Sequence, residues 1–120
     1  MELIIGGAYQ GKLKYAFETY GLNENDVCDL RNMSGSPDFS KKILYHFEDY
    51  VLACMRAEKS PLEGLPEDAI IIADDVFCGV VPIDTEIRAW REECGRTLSA
   101  LALKSSSVTR IYCGLSQKLK

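Results

Sequence analysis

A strand, a glycine-rich turn and a helix follow one another at the start of the chain, and this order constrains the fold most. The apolar stretch 3–5 predicts a buried strand that runs into Gly6-Gly7-Ala8-Tyr9-Gln10-Gly11-Lys12-Leu13. Apolar side chains at positions 13, 16, 17 and 20 then recur at helical spacing. They predict a helix from about Lys12 to Tyr20 that ends at Gly21, a suitable left-handed cap.

A turn of this kind can bind phosphate for a physical reason. Consecutive backbone N–H groups form a concave anion site, and the following helix N-terminus adds a partial positive charge. The pattern G-x-x-x-x-G-K-[ST] is matched from Gly6 to Lys12, and Leu13 stands where a hydroxyl should bind Mg²⁺. The predicted phosphate site consists of Gly6, Gly7, Ala8, Gly11, Lys12 and Leu13. The alternative is that the glycines make only a tight turn and that Lys12 is a solvated residue.

The rest of the chain alternates predicted strands with predicted helices. Strands are expected at 27–30, 69–73 and 108–113, and helices from about Phe39 to Glu58 and from Thr85 to Lys104. Ser36 and Asp84 are the expected caps of these two helices. Strands separated by helices imply right-handed crossovers and a mostly parallel sheet with helices on both faces. We therefore expect one P-loop-type α/β domain over residues 1–120, with about four to five strands.

An acidic pair, Asp74-Asp75, follows the most apolar of the predicted strands. Ligands of parallel sheets bind at the carboxyl ends of the strands, where the glycine loop is also expected. Asp74 and Asp75 are therefore candidate Mg²⁺ ligands, and Asp75 joins Lys12 as a catalytic candidate. The alternative is that both carboxylates cap the following turn through hydrogen bonds to backbone N–H groups.

Composition and charge narrow the class of protein. The net charge of −4 argues against nucleic acid as the main partner. No apolar run reaches the roughly 18 residues of a membrane span, and the first residues lack the basic start of a signal peptide. The five cysteines are widely spaced and form no C-x-x-C pair, which predicts buried, reduced thiols in a cytoplasmic protein. The one histidine, His46, is expected inside the second helix, facing solvent.

Several motifs, in this order, resemble the adenosylcobinamide kinase / adenosylcobinamide-phosphate guanylyltransferase family. They are the loop with Gly11-Lys12, the strand and loop from Ile72 to Pro82, the helix with Gly95-Arg96, and the chain end around 111–115. The resemblance implies an oligomeric P-loop enzyme of cobalamin biosynthesis that binds ATP or GTP with Mg²⁺ and phosphorylates cobinamide. It also implies phosphate-binding roles for Gly6, Gly7, Gly11 and Lys12 and places Asp74, Asp75, Gly79 and Pro82 in the strand-end loop.

The sequence departs from the family pattern at Leu13 and at Phe77, which replaces a glycine. His46 does not match the family's guanylylated histidine, so guanylyl transfer is not expected. Two functions from different classes remain open. One is a nucleotide-binding protein with kinase-like chemistry, and the other is a non-catalytic protein of the same fold that acts as an assembly or regulatory partner.

Overall fold

The computed structural model describes residues 1–31, 36–76 and 84–120, which form one six-stranded sheet and three α-helices. The strands are β1 (Glu2–Gly6), β2 (Val27–Asp29), β3 (Ile43–Tyr45), β4 (Ile70–Asp74), β5 (Ser107–Tyr112) and β6 (Leu115–Lys118). The helices are α1 (Lys12–Tyr20), α2 (Phe47–Arg56) and α3 (Thr85–Lys104). Among these residues no helix is both long and apolar enough to cross a membrane.

The strand order in the sheet is β2-β3-β4-β1-β5-β6. The first five strands are parallel, and β6 pairs with β5 in the antiparallel direction. The predicted mixed α/β architecture with a mostly parallel sheet is therefore confirmed, with six strands rather than four to five. Because β1 and β4 are parallel neighbours, with Gly6 opposite Asp74, the loop that follows β1 and the end of β4 lie at the same edge of the sheet.

Helices cover both faces of the sheet. Successive side chains of a strand point to opposite faces, so the apolar strands β1 and β4 have apolar side chains to bury on each face. On one face Leu3 and Ile71 belong to a core cluster with buried residues of α2 and α3. On the other face Ile4 and Ile72 pack in a cluster with Ala16 of α1. Full burial of each such aliphatic side chain contributes about 1.5–3 kcal/mol to stability. The two clusters therefore pack the helices against both faces of the sheet.

The helix predicted from about Phe39 to Glu58 is wrong in its first half. Residues Ile43–Tyr45 form β3, and α2 begins only at Phe47. Ile43 and Leu44 lie in the clusters on opposite faces of the sheet, which a strand allows and a helix stripe does not. A short apolar run fits both periodicities, so the pattern could not separate them. Ser36 and Pro37 accordingly do not begin a helix.

The bounds of α1 and α3 are confirmed by their caps. Gly21 ends α1 in the left-handed conformation with φ of 66°, and the Asp84 side chain accepts a hydrogen bond from the Ile87 N–H at 3.0 Å.

The prediction that every cysteine is buried is wrong for Cys113, which is exposed. Cys78 lies outside the described residues.

Candidate functional site

The loop between β1 and α1 has a backbone that demands glycine at its start. Gly6 has φ of +156°, and a Cβ atom there would lie 2.4 Å from the carbonyl oxygen of Ile111. Gly11 precedes α1 with φ of 90° and provides no side-chain cap. Within the described part of the chain, the N–H groups of the first turn of α1 therefore remain available to an anion.

The turn between β5 and β6 supports this loop from the side. The Gly114 N–H donates to the carbonyl oxygen of Gln10 at 3.1 Å, and the Cys113 N–H donates to the Gln10 side-chain oxygen. Tyr9 is fully exposed and does not cover the loop. Phe77, a residue of the predicted strand-end loop, lies outside the described residues, as do Gly79 and Pro82.

Lys12 is the first residue of α1, and its side chain is only 4% exposed. Its Nζ atom donates to the carbonyl oxygen of Gly7 at 2.6 Å and lies 2.7 Å from Oδ1 of Asp74. The alternative of a solvated Lys12 is therefore wrong. The ion pair joins the glycine loop to the end of β4 and brings two of the predicted site residues together.

Asp74 is in turn bound to Glu48, a residue that the sequence analysis did not select. The Asp74 N–H donates to Oε1 of Glu48 at 3.0 Å, and the indole N–H of Trp90 donates to the Glu48 carbonyl oxygen at 2.7 Å. Burial of Glu48 raises the pKa of its carboxyl group to about 7, and repulsion from Asp74 adds to the effect. Glu48 therefore titrates near neutral pH.

His46 lies directly after β3 and precedes α2, with φ of 62°. Its side chain is buried, and Nδ1 lies 3.0 Å from Oδ1 of Asp29. The expectation of a solvent-facing histidine inside a helix is therefore wrong, because the missed strand moves His46 to the carboxyl edge of the sheet. Burial would raise the pKa of Asp29, but hydrogen bonds from Arg31 outweigh this effect, so that the pKa is lowered.

Asp75 occupies a different position from Asp74. Its N–H donates to the carbonyl oxygen of Gly6 at 2.9 Å, which continues the pairing of β4 with β1. Its Oδ1 atom is buried and has no hydrogen-bond partner within the described part of the chain. Burial raises the pKa of Asp75, and the charges of Arg110 and Lys12 oppose this rise. Asp74, and not Asp75, contacts Lys12.

Lys12, Glu48 and Asp74 meet His46 at one cavity of about 640 Å³ at the carboxyl edge of the sheet, whereas Asp75 does not line it. Its walls are the glycine loop, the start of α2, the end of β4 and Trp90. Small-molecule sites typically have volumes of about 300–1,000 Å³. Ionisable side chains of both signs line it: Lys12, Lys14, Arg31, His46, Glu48, Asp49 and Asp74.

One half of this cavity was accessible to sequence analysis and the other was not. The loop and Asp74 follow strands with clear apolar patterns, whereas His46 and Glu48 follow the unrecognised strand β3. A strand prediction at 43–45 would have placed both at the carboxyl edge.

The sequence matches no model of a known protein family, and a comparison with curated proteins likewise finds no match.

Proposed function

We propose that the protein binds the phosphate groups of a nucleoside triphosphate, ATP or GTP, in the loop from Gly6 to Leu13. The observation that supports this most directly is the position of Lys12. Its ammonium group is buried beneath the loop, between the Gly7 carbonyl oxygen and the Asp74 carboxylate, beside a 640 Å³ cavity. A cation held in this way is a preorganised partner for an anion that enters the cavity.

The chemistry of the loop fits phosphate groups. A lysine ammonium has three donors, of which two are engaged with Gly7 and Asp74. The third has no partner among the described residues and is available to a phosphate oxygen, and the first turn of α1, which has no side-chain cap, supplies backbone N–H groups and its dipole. Tyr45 and Trp90 line the same cavity and offer aromatic surface to a nucleotide base.

The site suits a nucleotide better than it suits the Mg²⁺ that accompanies one. The Leu13 side chain carries no oxygen, so the loop lacks one Mg²⁺ ligand, and the Asp74 carboxylate is the acidic group beside Lys12. Backbone N–H groups and Lys12 bind phosphate without the metal, whereas phosphoryl transfer depends on metal ions to neutralise charge. Binding is therefore proposed to survive better than turnover. For phosphoryl transfer, we propose cobinamide as the phosphate acceptor and a homo-oligomer as the active form, on the basis of the family resemblance.

Calorimetric titration with ATP and GTP, with and without Mg²⁺, tests the proposal. Lys12→Ala should weaken binding by about tenfold or more, which corresponds to about 1.4 kcal/mol. Lys42→Ala is the matched control. Lys42 also forms an ion pair, with Asp68 at 3.3 Å, but it lies at the amino end of the sheet and does not line the cavity. The control should bind as wild type does. Circular dichroism of each variant verifies that it is folded.

Saturable binding that depends on Lys12 would lead next to an assay of cobinamide phosphorylation. The absence of saturable binding at millimolar nucleotide would contradict the proposal. The second candidate, a non-catalytic assembly or regulatory partner of the same fold, would then be favoured. Exposed apolar side chains at Leu103 and Leu115 support that candidate, because such residues are available for contact with another protein.

A further inference from the structure

We propose that the same cavity holds a divalent transition-metal ion, of the class of Mn²⁺ or Zn²⁺, bound by His46, Glu48 and Asp74. A ring nitrogen of His46 and one carboxylate oxygen from each of the two acidic residues lie within 4.8 Å of one another. Donors around one tetrahedral ion, each about 2.0–2.2 Å from it, are separated by about 3.3–3.6 Å. Side-chain rotations that shorten the separations by at most about 1.5 Å bring all three into one coordination shell.

The donor set selects the class of metal. Mg²⁺ prefers oxygen ligands and keeps several of its waters, whereas imidazole nitrogen suits first-row transition metals and zinc. Three protein ligands leave coordination positions open for water or for a ligand oxygen. The site differs from the predicted Asp74-Asp75 pair, because it shares Asp74 but takes its other two ligands from the start of α2.

The orientation of the His46 ring is fixed by a carboxylate, as is usual for histidines that bind metal ions. Its Nδ1 atom is engaged by the Asp29 carboxylate at 3.0 Å, so Nε2 is the nitrogen with a lone pair to give. The side chain is 10% exposed, and no residue of the described ranges hydrogen-bonds to Nε2. An imidazole nitrogen with a lone pair, on a side chain that lines a cavity, is available to a metal ion.

Glu48 provides an independent observation of the same kind. The residue is 4% exposed and lines the cavity. Oε1 accepts the Asp74 N–H at 3.0 Å, which holds the carboxylate at the cavity wall beside Asp74. A carboxylate that is largely removed from water is stabilised by a cation bound beside it.

Asp74 can serve the metal while it remains paired with Lys12. The Lys12 ammonium contacts Oδ1 at 2.7 Å, and within the described part of the chain no group donates to Oδ2. Metal binding therefore requires neither nucleotide nor displacement of Lys12. This separates the metal site from the phosphate proposal, so that either can fail alone.

Titration of the whole chain with Mn²⁺, followed by the loss of the free-ion paramagnetic resonance signal, tests the site without nucleotide. One ion should bind per chain, and His46→Asn and Glu48→Gln should each weaken binding by tenfold or more. Asparagine tolerates the positive φ at position 46, and glutamine keeps an acceptor for the Asp74 N–H. Glu63→Gln, at an exposed position, should leave binding unchanged. Calorimetry with Zn²⁺ in a Cys113→Ser background should give the same ranking.

Wild-type protein alone provides the decisive comparison if a variant fails to fold. Mg²⁺ should compete with Mn²⁺ at least tenfold less well than Zn²⁺ does. Equal competition by Mg²⁺, unchanged affinity in both folded variants, or no saturable Mn²⁺ binding would each overturn the proposal.

Discussion

Lys12 and Asp74 form an ion pair with 2.7 Å between Nζ and Oδ1, and it joins the start of α1 to the end of β4. The two residues are far apart in sequence, yet β1 and β4 are neighbouring parallel strands, with Gly6 opposite Asp74 in register. The pair therefore depends on the topology of the sheet. It also brings Lys12 of the glycine loop into contact with Asp74, the residue whose backbone N–H donates to Glu48.

Lys12→Met should lower the free energy of unfolding by about 2 kcal/mol, because it leaves the Asp74 carboxylate without its cation. Adding Asp74→Asn should recover part of this loss. Urea denaturation of the two single variants and the double variant measures the coupling, which we expect to be about 1 kcal/mol or more. Strictly additive effects would mean that the ion pair contributes nothing.

Gly6→Ala should destabilise the fold by about 2–4 kcal/mol, because its Cβ atom would lie 2.4 Å from the Ile111 carbonyl oxygen. Gly64→Ala is the matched control. Gly64 also has a positive φ, of +77°, but its Cβ atom would meet nothing within 4 Å. The control should cost only about 1 kcal/mol of backbone strain. Equal losses in urea denaturation would show that the contact with Ile111 is not the cause.

Glu48→Gln should change how stability depends on pH. The folded state raises the pKa of Glu48 from 4.5 to about 7, so the folded chain holds this proton more tightly than the unfolded chain. Protonated Glu48 therefore contributes to the free energy of unfolding. This contribution, about 3 kcal/mol at most, is fully present below pH 4.5 and is lost as the pH rises through the folded-state pKa of about 7. Glutamine does not titrate, so the variant should match wild type near pH 4.5 and exceed it at pH 8. Urea denaturation at both pH values, with a chelator present, measures the difference; a variant that gains nothing at pH 8 would contradict the prediction.

Cys113 should react with a thiol reagent much faster than Cys28, Cys54 and Cys94. Cys113 is exposed, and the other three are buried. Burial, together with the charge of Glu48, also raises the pKa of Cys94 to about 12, which suppresses its reactive thiolate. Labelling of a Cys78→Ser variant should modify one thiol in the native state and four after unfolding. Rapid labelling of all four thiols in the native state would mean that the core cluster around Cys28, Cys54 and Cys94 frequently becomes exposed to solvent.

Local signals predicted the parts of the fold that local interactions determine. Gly21 and Asp84 placed the ends of α1 and α3 correctly, because each cap is a contact within one turn of chain. The strand β3 is only three residues long, and its identity follows from pairing with β2 and β4 rather than from its own sequence. The error carried over to His46, which the structure places at the carboxyl edge of the sheet.

The same reason explains how far the candidate site could be predicted. Lys12 and Asp74 follow strands that apolar patterns reveal, so their common edge was predictable. Glu48 has no motif around it, and its proximity to Asp74 depends on the packing of α2 against β4. A sequence pattern contains no direct record of such a contact between distant segments.

The support of the glycine loop by the turn after β5 has a consequence for synthesis of the chain on the ribosome. Cys113 donates a hydrogen bond to Gln10 across 103 residues of sequence, and Gly6 rests against Ile111. The loop is therefore translated well before the segment that supplies its supporting contacts. A nascent chain that ends before β5 contains the whole glycine loop without the strand that shapes it, so the loop reaches its folded shape only after β5 and the turn that follows it have been synthesised.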